Sequence, residues 1–169
     1  LQFTTDSLAA YYAYDENSRT FLVPCKFIPD SGIDPGIARM QIINEDHSDY
    51  NSIYTNRIWA GPPVINPNTD SSARALLPLN YFDSNNSEIQ ILDSNFDPTT
   101  IIGFPDTKIS SNLMLKNDSL YCFSDAGNSE RFLQKYNIET GDLTSAEFIG
   151  FSAAINSALL ADIDKDSID

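Results

Sequence analysis

Leu113-Met114-Leu115, Leu120-Tyr121-Cys122-Phe123 and Phe132-Leu133-Gln134-Lys135-Tyr136-Asn137-Ile138 decide the fold class of this 169-residue chain. Between these apolar and aromatic runs stand Lys116-Asn117-Asp118 and Asp125-Ala126-Gly127-Asn128, clusters of the residues that support tight reversals. Glu139-Thr140-Gly141-Asp142 supplies a further turn, and Leu143 to Phe151 a further strand. The segment therefore reads as a four-stranded antiparallel meander with turn chemistry at each reversal.

The same alternation extends upstream. Ala9 to Tyr14, Thr20 to Val23, Ile37 to Ile43, Ser52 to Trp59, Ile89 to Leu92 and Thr99 to Phe104 are strand-like, and polar clusters rich in Asp, Asn and Ser separate them. Gly61 to Ser72 is a polar run with several prolines, and it is the candidate boundary within an otherwise single domain. Only Ser152 to Ala161 has a helical composition, and a buried strand fits it equally well. The chain is predicted to be all-β, built of antiparallel meanders that form a partial β-propeller or a β-sandwich or barrel.

Composition supports a globular domain: 41% of residues are hydrophobic and 20% charged. The formal net charge is −14, from 24 acidic against 10 Lys and Arg residues. Nucleic-acid binding requires clustered cations that displace phosphate counterions, so this balance argues against nucleic acid as a partner. It also argues against docking on an anionic membrane face. No apolar run is long enough to span a bilayer as a helix. A start at Leu1 suits a mature or excised segment, and the acidic, Asn- and Ser-rich surface suits an extracytoplasmic setting, secreted, periplasmic or on the cell surface.

Weak internal echoes accompany the meander. Tyr136-Asn137-Ile138-Glu139 has a strand-then-turn character shared by Leu92-Asp93-Ser94-Asn95, 44 positions earlier, and by Ile43-Asn44-Glu45-Asp46, 49 positions before that. Tyr81-Phe82-Asp83 and Tyr121-Cys122-Phe123 form a second echo, 40 positions apart. Such periods, with four short strands each, are those of propeller blades. Leu133-Gln134-Lys135-Tyr136-Asn137-Ile138-Glu139-Thr140-Gly141-Asp142-Leu143 resembles a blade of the quinoprotein-like propeller repeats, in which a strand, an acidic residue and Thr-Gly precede the next strand. The resemblance covers Leu120 to Leu143 and implies a propeller of which this chain forms part.

Catalytic patterns are scarce. His47 is the sole histidine and lies in the polar turn Glu45-Asp46-His47-Ser48-Asp49, where an exposed side chain explains it. There is no Gly-x-Ser-x-Gly elbow, and the seven glycines are scattered singly rather than grouped in a phosphate-binding loop. Cys25 and Cys122 each stand in an apolar strand context without neighbouring Cys or His, which fits buried thiols or one long-range disulfide.

Two local features remain as candidate sites. Asp162, Asp164 and Asp166 have the alternate spacing of the first ligands of a calcium loop, and the tail resembles the Asp-x-Asp-x-Asp loops of integrin-type FG-GAP propeller repeats. Ca²⁺ is the cofactor this implies, against the plainer alternative of a solvated acidic tail. Tyr50, Tyr54 and Trp59 lie in or beside one strand-like segment, where exposed aromatic faces would stack on sugars or anchor a protein interface. The function expected is a non-catalytic binding domain for a protein or glycan. The alternatives are part of a propeller-class hydrolase or lyase, and a structural or adhesion segment. Calcium titration calorimetry tests the tail: binding heat that disappears in Asp164→Ala is the expected result for a Ca²⁺ loop.

Overall fold

The computed structural model describes residues 13–27, 37–46, 49–54, 57–109, 113–126 and 130–151, the side chains of 25–27, 37–39, 49–54 and 126 excepted. These residues are all-β and form three antiparallel sheets that follow one another along the chain. Sheet 1 contains β1 (Ala13–Asp15), β2 (Thr20–Phe27), β3 (Ile37–Asn44) and β4 (Asp49–Tyr54), paired in that order. Sheet 2 contains β5 (Ile58–Trp59), β6 (Val64–Ile65), β7 (Ala75–Asn80), β8 (Ser87–Leu92) and β9 (Pro98–Phe104). Sheet 3 contains β10 (Thr107–Ile109), β11 (Met114–Lys116), β12 (Ser119–Ala126), β13 (Glu130–Asn137) and β14 (Leu143–Phe151).

Sheets 2 and 3 share a device that sheet 1 does not show among the described residues. Their first strand is split in two. Ile58 and Trp59 pair with one end of β7 while Val64 and Ile65 pair with the other. In the same way β10 and β11 divide the flank of β12 between them. The 61–72 run, the candidate boundary, therefore lies inside sheet 2 and carries β6. The expected strand from Ser52 to Trp59 is a correction: it breaks into β4 of sheet 1 and β5 of sheet 2. One continuous extended strand cannot pair in two different sheets.

The three sheets share a register. Each has an irregularity at the same place between its third and fourth strands, at the step from Ile42 to Ile43, from Ile91 to Leu92 and from Lys135 to Tyr136, and sheet 3 has a second between Arg131 and Phe132. Ile43, Leu92 and Tyr136 are the residues that mark the 49- and 44-residue echoes in the sequence. An extra residue on the fourth strand at this step bends the strand and increases the local twist. Asn137 and Asp93 then cap the turn alike: Asn137 Oδ1 accepts from the Glu139 N–H at 2.8 Å, and Asp93 Oδ1 from the Asn95 N–H at 2.8 Å. A glutamine repeats at this place in all three sheets. Gln41, Gln90 and Gln134 occupy equivalent places one residue before the shift, within Met40-Gln41-Ile42, Ile89-Gln90-Ile91 and Leu133-Gln134-Lys135. The Tyr81 and Tyr121 echo is not equivalent, because Tyr81 follows β7 whereas Tyr121 lies within β12.

Sheet 2 is buried on both faces. Leu76, Ile89, Ile91, Ile102 and Phe104 pack with Ile109, Leu113, Leu120, Cys122, Tyr136 and Ile138 of the third unit. On the opposite face Ala75, Leu77, Leu79, Leu92 and Phe96 pack with Leu22, Met40 and Ile42 of sheet 1. This explains why β7 reads Ala75-Leu76-Leu77-Pro78-Leu79 without alternation: successive side chains enter two different cores. Each large aliphatic side chain fully buried there contributes about 1.5–3 kcal/mol.

Polar clamps join the sheets at the end where the first-to-second and third-to-fourth strand turns emerge. Asp15 of sheet 1 forms a two-pronged ion pair with Arg74, at 2.7 Å from Oδ2 to Nε and by a second contact from Oδ1 to the terminal nitrogen Nη2. Asp15 is only 1% and Arg74 7% exposed, and Arg74 also donates to the Asn66 carbonyl. Asn68 donates from its amide to both carboxylate oxygens of Asp118, linking sheets 2 and 3. Glu139 accepts from the hydroxyls of Ser71 and Ser72 at 2.7 Å each. These two hydroxyls hold the Glu139 carboxyl below the usual carboxylate range, with Ser72 the larger influence.

Removing one member of a buried ion pair leaves the other charge uncompensated. Asp15→Ala is expected to cost about 3–5 kcal/mol in urea denaturation. The double variant Asp15→Ala/Arg74→Met is expected to lose less than the two single variants added together.

Candidate binding groove

The seam between sheets 2 and 3 opens into a groove of about 490 Å³. One wall comes from β9 and the Pro105–Asp106 turn, the other from β13, the 138–142 turn and the start of β14. Ile102, Phe104 and Tyr136 form its buried floor. The rings of Phe104 and Tyr136 meet edge to face at 5.4 Å between centroids, a favoured aromatic geometry. The Tyr136 hydroxyl donates to Gln134 Oε1 at 3.3 Å, so the polar tip of the floor is occupied by the repeated glutamine. Burial, and secondarily Cys122, raises the Tyr136 phenol well above its ordinary value, so it stays protonated.

Two glycines shape the groove for different reasons. Gly141 has φ +76°, a left-handed conformation that a side chain disfavours, and a Cβ there would stand 3.2 Å from Cγ2 of Thr100. The 138–142 turn can therefore lie close against β9 only because residue 141 lacks a side chain. Gly103 borders open space on β9 and leaves the wall low.

Beyond the groove lies the exposed outer strand of sheet 3. Leu143 is 51% exposed, Phe148 49%, Ile149 42% and Phe151 72%. Ile101, across the groove, is 59% exposed. Phe148 stacks edge to face on both Phe132 and Phe151, with centroids 5.7 and 5.3 Å away. Among the described residues β14 ends the strand order of sheet 3, with no strand paired to its outer side. An apolar edge strand beside a groove is a template for a further extended chain. The groove's own ionisable groups are Tyr136 and Asp142. Among the described residues no three His, Cys, Asp or Glu side chains come together as a metal site.

The residues singled out in the sequence fall elsewhere. Trp59 lies in β5 opposite Leu79, half-buried, and packs against the core between sheets 1 and 2. Tyr50 and Tyr54 belong to β4, the last strand of sheet 1, so the three aromatics sit on strands of two different sheets. Asp162, Asp164 and Asp166 lie outside the described residues, as do His47 and the segment from Ser152 to Ala161. Ile101, Leu143, Phe148 and Phe151 were readable as strand residues, but their exposure depends on which strands end a sheet. No family model matches this chain, and comparison with curated proteins finds no significant relative.

Cys122 is a free thiol buried in the core behind the groove floor, and burial pushes it up to about 12. The folded state keeps a proton that the unfolded chain releases near the ordinary thiol value. This contribution to stability is complete below that ordinary value and is lost as pH rises through it toward about 12. Iodoacetamide at mildly alkaline pH is expected to leave Cys122 unmodified until the protein unfolds. Gly141→Val is expected to destabilise the chain by roughly 1–3 kcal/mol, read by thermal or urea denaturation, because it adds left-handed strain to a side-chain clash with Thr100.

Proposed function

We propose that this chain is a non-catalytic, extracytoplasmic binding domain of propeller-type repeats that takes an extended segment of a partner protein along β14. The observation that carries the proposal is the coincidence of an exposed apolar edge strand, Leu143 to Phe151, with the groove bounded by Ile101 and Leu143. Strand addition draws its affinity from backbone hydrogen bonds along such an edge and its selectivity from alternate side chains entering neighbouring pockets. The groove beside β14 offers apolar walls for one or two such side chains, with Gln134 and Asp142 as polar markers. The rest of the groove suits recognition rather than turnover, because its lining brings no acid–base pair together. A protein ligand is favoured over a glycan because the exposed rings, Phe148 and Phe151, carry no polar edge for sugar hydroxyls.

Screening the purified chain against a displayed library of unstructured peptides, with a glycan array in parallel, tests this reading. Peptides of alternating apolar pattern are the expected ligands. Leu143→Asp and Ile101→Asp should each weaken them at least tenfold, a loss of about 1.4 kcal/mol or more. Binding indifferent to both substitutions, or selection of glycans alone, would contradict the proposal.

A further inference from the structure

The register of sheet 3 gives β14 two chemically different faces. Lys135 pairs with Ser145, Gln134 with Ala146, Leu133 with Glu147 and Phe132 with Phe148. Shifts in register lie on either side, so residues 145–148 form the regular stretch of this ladder. Side chains paired across a ladder share a face, and faces alternate along each strand. Tyr136, in the groove floor, pairs with Leu143. Gln134 and Phe132 follow Tyr136 on that side, so Ala146 and Phe148 stand there with Leu143. Lys135 and Leu133 stand on the opposite face, with Ser145 and Glu147.

The groove side of β14 is therefore apolar, and the other side carries a charge. Glu147 is exposed, as is Asp142 at the groove's rim. Lys135 shares the face of Glu147, but its ammonium stands 5.4 Å from the ring centre of Tyr121 on β12, across β13 from β14. Among the described residues neither Glu147 nor Asp142 has an ion-pair partner. The chain on both sides of the groove repeats this sign. Residues 93–106 hold Asp93, Asp97 and Asp106, residues 139–151 hold Glu139, Asp142 and Glu147, and neither segment contains Lys or Arg.

We propose that the partner segment taken along β14 alternates apolar with basic residues, its apolar side chains on the groove side and a Lys or Arg opposite Glu147. This inference rests on the strand-addition reading and specifies the chemistry of the partner. An added strand sends successive side chains to the two faces of the sheet. Those on the groove side meet Leu143, Ala146 and Phe148, and those on the other side meet Ser145 and Glu147. Opposite charges directly across a ladder attract and like charges repel, so an acidic segment of the same apolar pattern is disfavoured.

Three short end-blocked peptides, alternating Val with Lys, Ser or Glu, test the proposal by fluorescence anisotropy on the full chain. The Lys peptide is expected to bind tightest and the Glu peptide weakest, with roughly tenfold between them. Glu147→Lys should reverse that order. Asp83→Lys, which makes the same charge change at an exposed turn outside the groove, should leave it unaltered. Leu143→Asp should weaken all three peptides. Equal binding of the three, lost in Leu143→Asp, would overturn the charge preference while strand addition stands. An Asp83→Lys effect as large as that of Glu147→Lys would also overturn it, because attraction to the net charge then accounts for the order. Binding of none of the three, as when another segment already lies along β14, would overturn both readings.

Discussion

The two-sided burial of sheet 2 is the constraint on which the rest of the structure depends. Its second strand, β7, places Leu76 in one core and Ala75, Leu77 and Leu79 in the other. No position along this strand is available to solvent until Asn80, so the sheet has no stable existence apart from its neighbours. Sheets 1 and 3 each contribute one apolar face to it. The three meanders are thus a stack, in which each member completes the core of the next, as in repeat proteins whose stability resides in nearest-neighbour interfaces.

Polar contacts then fix how the sheets sit in that stack. Apolar burial is nondirectional and would tolerate sliding of one sheet over another. The paired Asp15 and Arg74, the Asn68 amide on Asp118, and the Ser71 and Ser72 hydroxyls on Glu139 each join different sheets with defined geometry. All three sit at one end of the stack. At the opposite end, the Lys108 ammonium is held by the carbonyls of Tyr81 and Ser84, and the Ser87 hydroxyl bridges to the Thr107 carbonyl. The seam between sheets 2 and 3 is pinned at both ends, and the groove lies along its outer side.

The groove is a consequence of that pinning together with the absent side chain at Gly141. The 138–142 turn can approach β9 closely, and the wall then falls away at Gly103. Exposed Ile101 and Leu143 border the opening because β9 and β14 end their sheets among the described residues. The groove is therefore a property of sheet edges, whereas the packing of one sheet on the next is a property of sheet faces.

The sequence by itself determined the class of structure and most of its strands. Turn clusters such as Asn117-Asp118 and Glu139-Thr140-Gly141-Asp142 act locally, through backbone conformations that few residues adopt, so they remain legible without tertiary context. The positive φ angles at Asn117, Asp118 and Gly141 are the physical counterpart of that reading. The echo among Ile43, Leu92 and Tyr136 was legible too, because equivalent places in three ladders demand similar residues. Trp59, a candidate for a binding surface beside Tyr50 and Tyr54, is half-buried, packs against the core between sheets 1 and 2 and stands in a different sheet from Tyr54. What only the tertiary structure decided was which strands end a sheet and which faces meet. Leu76 and Leu143 are the same residue type in similar strand contexts, yet one is 0% and the other 51% exposed. Pairing partners and stacking neighbours set that difference, and both lie tens of residues away in the chain.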